Sequence, residues 1–303
     1  MVTKQDIIEG LRKLGLRDGD LVLVHSSLSS FGKVDGGAET VVDALLETVG
    51  PRGTLVVPTF SWTVMGGEPF EVERTPSEVG KITEEVRLRP EAVRSGHPTH
   101  SVAAIGPLAE ALTEGHDKTH PMGRGSPLFK VLQANGKILQ LGTNQMTNTM
   151  VHVAEEIAAA PYLEQWRVVN VKSRRGKIVR KRIRRPGCSA GFCIIDAALR
   201  KRGEMTETLI GNCRARLMTA RAVVDAAIEE LKLDPAALLC DRPDCERCAE
   251  ARAMIIATDL ERQDQEVIEL AKDEERTLRI IERRLDIGEV KYFDAEENGS
   301  SPN

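Results

Sequence analysis

Thr149, His152 and Glu155 stand three residues apart in TNTMVHVAE, a spacing that places all three on one face of a helical turn. An imidazole beside a carboxylate is the minimal equipment for a general base working near neutral pH. KILQL (Lys137 to Leu141) reads as a strand before these residues, and HVAEEIAAA reads as a helix. Between them lies a polar turn carrying Thr143, Asn144, Thr147, Asn148 and Thr149. In open α/β sheets, ligands bind at such strand-to-helix turns. The same residues also fit an exposed helix start with a capping threonine and a surface histidine, and the segment alone leaves both readings open.

The neighbouring elements repeat the pattern. LVLVHSSL (Leu21 to Leu28) is an apolar strand running into Ser26 and Ser27, and TLVVPTFSW (Thr54 to Trp62) ends in Thr59 and Ser61. SVAAIG follows a turn that bears His97, Pro98 and His100. If these segments converge, they form a polar pocket at one edge of a sheet, where hydroxyls and free backbone N–H groups can hold amides and phosphates. Each alone also fits an ordinary turn. A helix capped by Thr3 and closed by Gly15, another starting near Gly37, one over 107–115 and SPLFKVLQANG alternate with the strands. That alternation predicts an α/β layered fold with a mainly parallel sheet. The 64–90 region is polar and irregular, reads as a flap over the sheet edge, and contains one short helix, KITEEVRLRP.

With 303 residues, 41% of them hydrophobic, the chain can bury a sizeable core. The net charge of -4 points globally to neither nucleic acid nor membrane. The N-terminal segment is amphipathic, with Ile7, Ile8, Leu11 and Leu14 at helical spacing, unlike a signal peptide or a membrane span. Six cysteines outside any regular secreted framework suit a reducing, cytoplasmic setting.

After Tyr162 the character changes. Residues 166–185 read as an antiparallel hairpin turning at Arg175–Gly176. It carries Lys172, Arg174, Arg175, Lys177, Arg180, Lys181, Arg182, Arg184 and Arg185, with no acid among residues 172–185. Contact with an acidic ligand is one reading; with no aromatic residues interleaved for stacking, a solvated hairpin guarding its own edges is preferred over nucleic-acid binding. From Gly187 to Cys248 the pattern reads as helical, including TLIGNCRARLMTARAVVDAAIEEL. In the 240–248 loop, Cys240, Cys245 and Cys248 form a candidate zinc half-site, its fourth ligand coming from elsewhere, for instance Cys213. The preferred reading is a Pro-containing loop with buried or free thiols, and no metal is expected. Residues 1–255 are taken as one domain, 256–292 as a helical extension and 293–303 as a disordered tail.

Laid side by side, LVLVHSSLSSFGKVDGGAETVVDAL, GTLVVPTFSW, HPTHSVAAIGPLAEALTEGH, GSPLFKVLQANGKILQLG and TNTMVHVAE resemble the aminoglycoside 3-N-acetyltransferase family, which is unrelated to the GCN5-type enzymes. PGCSAGF and LIGNCRARLM fit a divergent branch, and the likeness covers roughly residues 5–250. The resemblance implies a three-layer α/β/α sandwich and transfer of acetyl from acetyl-CoA to a primary amine, such as the 3-amino group of a 2-deoxystreptamine aminoglycoside. By the same resemblance His152 is the general base for direct attack on the thioester. Glu155 orients the imidazole or pairs with a cationic substrate, and Thr149 bonds the thioester oxygen or the CoA sulfur. His25, Ser26, Ser27 and Leu28, with Lys33 nearby, match a segment that cradles CoA. His97, Pro98, Thr99, His100, Ser101 and Val102 match a second one, although His97 also fits a core histidine. The implied partners are acetyl-CoA and a small amine, with a homo-oligomer allowed and neither membrane nor nucleic acid involved. The alternative is a relative acting on another amine, or a non-catalytic module binding CoA or a partner; the intact TxxHxxE spacing favours catalysis.

Overall fold

The structure, a computed structural model, describes residues 1–173 and 175–270, with side chains to residue 261. Arg174 and the residues beyond 270, where most of the expected extension and all of the expected tail fall, lie outside the described residues. Met1–Ile255 form one compact unit.

Helix α1 (Lys4–Leu14) starts at Thr3, whose hydroxyl accepts from the Asp6 N–H while the Asp6 carboxylate accepts from the Thr3 N–H, a reciprocal cap. It is followed by β1 (Leu21–Ser26), α2 (Gly37–Val49), β2 (Thr54–Pro58), α3 (Lys81–Leu88), β3 (Val93–Arg94), β4 (Val102–Ile105), α4 (Ala109–Thr113), α5 (Pro127–Gln133), β5 (Lys137–Leu141) and α6 (Met150–Ile157). Then come β6 (Trp166–Lys172), β7 (Ile178–Arg184), α7 (Ile195–Lys201), β8 (Met205–Ile210), β9 (Cys213–Thr219), α8 (Ala220–Leu233) and α9 (Glu246–Leu270).

Seven strands make one sheet in the order β3-β4-β2-β1-β5-β9-β8. Only its centre, β2-β1-β5, is parallel; the other four of the six strand pairings are antiparallel, so the sheet is mixed and not the mainly parallel one that strand–helix alternation predicts. Strand side chains alternate between faces and thereby define two cores. Leu21, Leu23, Val56 and Ile138 pack with residues of α4 to α8. Val22, Val24, Leu55, Val57 and Leu139 pack with α1, α2 and α3. Helices thus cover both faces.

The helical reading of residues 208–218 is also corrected. TLIGNCRARLM is not helical: its residues fall in β8 and β9, joined at Gly211 and Asn212, with Gly211 at φ +58. The apolar residues there alternate, Cys213, Ala215 and Leu217 facing one core and Met218 the other. A Gly-Asn turn inside the segment makes that period a hairpin and not a helix.

Outside the sheet, β6 and β7 pair as the expected hairpin. Its Val169 and Ile183 pack on Val64 and Phe70 of the preceding irregular segment, and the Phe70 N–H and C=O bond to the hairpin backbone at Asn170 and Lys172. A further small core joins Tyr162, Leu163, Cys188, Leu239, Cys240, Cys248 and Ala251. Among the described residues no helix is long and apolar enough to cross a membrane.

Candidate active site

The parallel strands β1, β2 and β5 all end at the same edge, and a cavity of about 480 Å³ opens there. It takes Ser26 from the end of β1, Pro58 from β2, and Thr143, Met146, Thr147, Asn148 and Thr149 from the turn after β5. Because β4 runs antiparallel to β2, pairing Val102 with Pro58, the turn before β4 reaches this edge too and delivers His100. The turn after β5 must approach the 28–31 segment closely: Gly142 has φ +68, and a Cβ there would lie 1.9 Å from the Ser30 Oγ. Below it, the Asn148 amide donates to Gln145 Oε1 (2.7 Å), and the Gln145 amide donates to Asp196 (2.9 Å). Both amides are buried, so this network fixes where α6 begins.

Helix α6 then presents Thr149, His152 and Glu155. Its apolar positions, Met150, Val151, Val153 and Ala154, bury in the core shared with α5 and α8. His152 Nδ1 lies 2.6 Å from Glu155 Oε2, and the Tyr162 hydroxyl donates to Glu155 Oε1 at 2.9 Å. Glu155 is fully buried. Burial, followed by the adjacent Glu155 charge, raises the Tyr162 pKa, so the phenol stays protonated and can only donate. A carboxylate accepting from Nδ1–H leaves the lone pair on His152 Nε2, which has no protein partner among the described residues. The imidazole is held edge-on to Phe192, ring centroids 4.8 Å apart. Thr149 sits at the helix N-cap but makes no side-chain cap; its hydroxyl instead lies 3.4 Å from His25 Nε2.

The other predicted site residues separate into two sets. His25, Ser26 and His100 line the cavity with Thr149 and His152. Burial lowers the His25 pKa to about 4 and holds that of His100 well below the ordinary value, so both are neutral at pH 7. His100 packs on Phe60 (4.6 Å between centroids) and accepts or donates at Nδ1 with the Thr99 hydroxyl (2.8 Å). The Ser26 Oγ is buried without a hydrogen-bond partner among the described residues. Ser27, Leu28, Lys33, His97, Pro98, Thr99, Ser101 and Val102 do not line this cavity. Lys33 is exposed beside the N-terminal segment. His97 is buried against His116 and accepts the His100 N–H at Nδ1, the core role open to it from the sequence. Ser101 bonds Thr59 and Arg94, and Val102 is core.

Four contributors escaped the sequence reading. Tyr162 and Phe192 fix the histidine pair from outside the cavity. Arg185, at the end of the basic hairpin, and Arg247, inside the CxxC segment, line the cavity wall. Tyr162 is one of only two tyrosines, and Phe192 closes PGCSAGF, which is all the sequence offered as a signal. No Asp or Glu lines the cavity among the described residues. The hairpin cations are partly committed within the protein: Lys172 pairs with Glu71 (3.1 Å), Arg184 with Glu156 (3.1 Å), and Arg182 covers the Trp166 ring at 4.4 Å.

The cysteines also differ from expectation. The thiol that joins Cys240, Cys245 and Cys248 is Cys188, whereas Cys213 is buried in the α1–α3 core. Cys188 is 52 residues from Cys240, a distance that spacing arguments cannot bridge.

Comparison with known proteins agrees with this fold. The family profile described as aminoglycoside 3-N-acetyltransferase matches residues 23–232. Aminoglycoside N(3)-acetyltransferase III of Acinetobacter baumannii is 41% identical over 180 residues, covering 53% of this chain and 63% of that protein. The match thus spans less than two thirds of that relative's length. Aminoglycoside N(3)-acetyltransferase IV of Salmonella sp is 32% identical over 235 residues, 77% of this chain and 88% of its own. Among solved structures, a histidine-to-alanine mutant of aminoglycoside acetyltransferase AAC(3)-IVa in complex with a gentamicin superposes with a TM-score of 0.77 at 31% identity, covering 84% of this chain and 97% of that one. AAC-IIIb, solved as a binary complex with CoASH, gives a TM-score of 0.69 at 28% identity, covering 76% and 96%.

Proposed function

The chain belongs to the aminoglycoside 3-N-acetyltransferase family, and from that premise we propose that it moves acetyl from acetyl-CoA to a primary amine, with His152 as general base and the 3-amino group of an aminoglycoside as acceptor. The observation that carries the reading is the His152–Glu155 pair at 2.6 Å, with His152 lining the cavity. Nε2 takes a proton from the acceptor nitrogen, whose lone pair attacks the thioester carbonyl carbon. The C–S bond breaks, the amide forms, and the CoA thiolate leaves with a proton; no covalent enzyme intermediate is required. Glu155, accepting from Nδ1–H, stabilises the imidazolium as it forms. The Thr149 hydroxyl, uncommitted to the helix cap and lining the same cavity, supplies oxyanion stabilisation. Neutral His25 and the unpartnered Ser26 hydroxyl fit the polar thioester and amide groups of the acetylated pantetheine arm, and Arg185 and Arg247 fit an anion.

A second acceptor class is favoured by one observation. A polycation should meet carboxylates, yet the cavity lining combines two arginines with no Asp or Glu among the described residues. An amine carrying an anionic group suits that wall better. The test is thiol release from acetyl-CoA against a panel containing an aminoglycoside with a free 3-amino group, one lacking it, and amines bearing a carboxylate or phosphate. Turnover of the first alone supports the aminoglycoside acceptor, turnover of the last set moves the acceptor, and no thiol release with any of them counts against transfer.

A further inference from the structure

Cys188, Cys240, Cys245 and Cys248 bring their sulfurs within 4.8 Å of one another. Cys188 and Cys240 are 3.8 Å apart, and Cys240 and Cys248 are 3.5 Å apart. A tetrahedral zinc with Zn–S bonds of about 2.3 Å requires sulfur separations of about 3.8 Å. A disulfide would need about 2.05 Å, and all four thiols are free. Three of the four are buried and Cys245 is half-buried.

The surroundings suit thiolates better than thiols. The Ala190 N–H points at the Cys188 sulfur (3.5 Å), the Cys240 N–H at the Cys248 sulfur (3.4 Å), and the Arg242 guanidinium at the Cys188 sulfur (3.8 Å). Such donors offset the charge of a tetrathiolate centre, and they are redundant around neutral thiols. Cys245 and Cys248 form a CxxC at the start of α9, the spacing that lets two sulfurs of one helical turn share an ion. Cys188 and Cys240 arrive on separate loops pressed together: a Cβ on Gly191 would lie 2.5 Å from the Leu238 carbonyl oxygen.

We propose that these four cysteines hold one structural zinc ion, a closed tetrathiolate site that fastens the 187–191 loop to the 239–248 segment. Four protein ligands leave no coordination position for water or substrate, so the ion does no chemistry itself. Its role follows from its neighbours. Gly187 and Ser189, on either side of Cys188, line the cavity, as does Arg247 between Cys245 and Cys248. Tyr162, which holds Glu155, packs in the same small core as Cys188, Cys240 and Cys248. Binding exchanges thiol protons for Zn²⁺ with no change of oxidation state.

The test is elemental analysis of the full chain purified under reducing conditions without chelator, then reconstituted with excess Zn²⁺ and desalted. One zinc per chain is expected, with iron absent. Cys245→Ser and Cys188→Ser should each lose it, while Cys213→Ser should retain it. Because failed folding of a variant also loses metal, the wild-type protein is in addition stripped and loaded with Co²⁺. The intense visible bands of tetrahedral thiolate cobalt are expected, and one equivalent of Zn²⁺ should bleach them. Zinc below about a tenth per chain after reconstitution, far under the saturation a structural site reaches, would overturn the proposal. So would full zinc retention in a Cys188→Ser, Cys245→Ser double variant. Iron in place of zinc would overturn the metal assigned.

Discussion

Tyr162 donates its phenolic hydrogen to Glu155 Oε1 at 2.9 Å, while the other oxygen of the same carboxylate holds His152 Nδ1 at 2.6 Å. The His152 imidazole is therefore oriented by a carboxylate that is itself oriented, and the orienting phenol belongs to the core that contains the cysteines. Tyr162→Phe keeps the packing and leaves Glu155 Oε1 without a partner, at a cost of about 1–3 kcal/mol in stability. We expect kcat to fall by roughly ten-fold, about 1.4 kcal/mol of misplaced base, with the acetyl-CoA KM unchanged.

Glu155→Gln retains shape and an oxygen for Nδ1–H, yet removes the charge that stabilises the imidazolium. Steady-state kinetics should give a kcat loss of roughly 10²-fold, within the span that general-base catalysis supplies.

The buried histidines predict how stability depends on pH. Burial lowers both His25 and His116 to about 4, against about 6.5 in an unfolded chain. Below pH about 6.5 the unfolded chain takes up protons that the fold refuses, so stability is lost as pH falls from there to about 4, by up to about 1.4 kcal/mol per pH unit for each histidine. Urea melts at pH 7.5 and 5 should show the loss. His116→Gln, at a residue that does not line the cavity but is bonded to Ser95 and to the Pro121 carbonyl, should flatten it.

Arg94 is a structural counterpart to the site. Its guanidinium donates to the carbonyls of Thr59, Val72 and Thr75 and to the hydroxyls of Thr59 and Ser101, tying the 59–75 segment to the sheet edge. Arg94→Leu strands those acceptors and should destabilise by on the order of 3 kcal/mol, read as a lowered urea midpoint with an unchanged m-value.

Charge on the cavity wall separates the two acceptor classes. Arg247→Gln should raise KM for an anionic substrate several-fold and steepen neither salt dependence nor kcat. Toward a polycationic aminoglycoside the same change should lower KM, because a like charge has been removed.

The sequence carried the site's centre well and its walls poorly. Thr149, His152 and Glu155 were legible because one helical turn puts them on one face, and Ser26 and His100 because strand ends gather at one edge. The β8–β9 hairpin was missed because its apolar residues satisfy a helical count as readily as an alternating one, and only Gly211–Asn212 argues otherwise. His97 to Val102 read as a cofactor-lining run, but His97 to Ser101 form a buried turn ahead of β4 whose side chains are mostly spent on contacts within the protein, and only His100 lines the cavity. Arg185, Arg247, Tyr162 and Cys188 depend on contacts between segments far apart in the chain, which no local period encodes.

The most direct test of His152 as the base is His152→Ala, measured as thiol release from acetyl-CoA with an acceptor that the wild-type protein uses, alongside calorimetric acetyl-CoA binding. Turnover should fall by at least about 10²-fold, the scale of a lost general base, while acetyl-CoA still binds. Full activity in the variant would contradict the assignment.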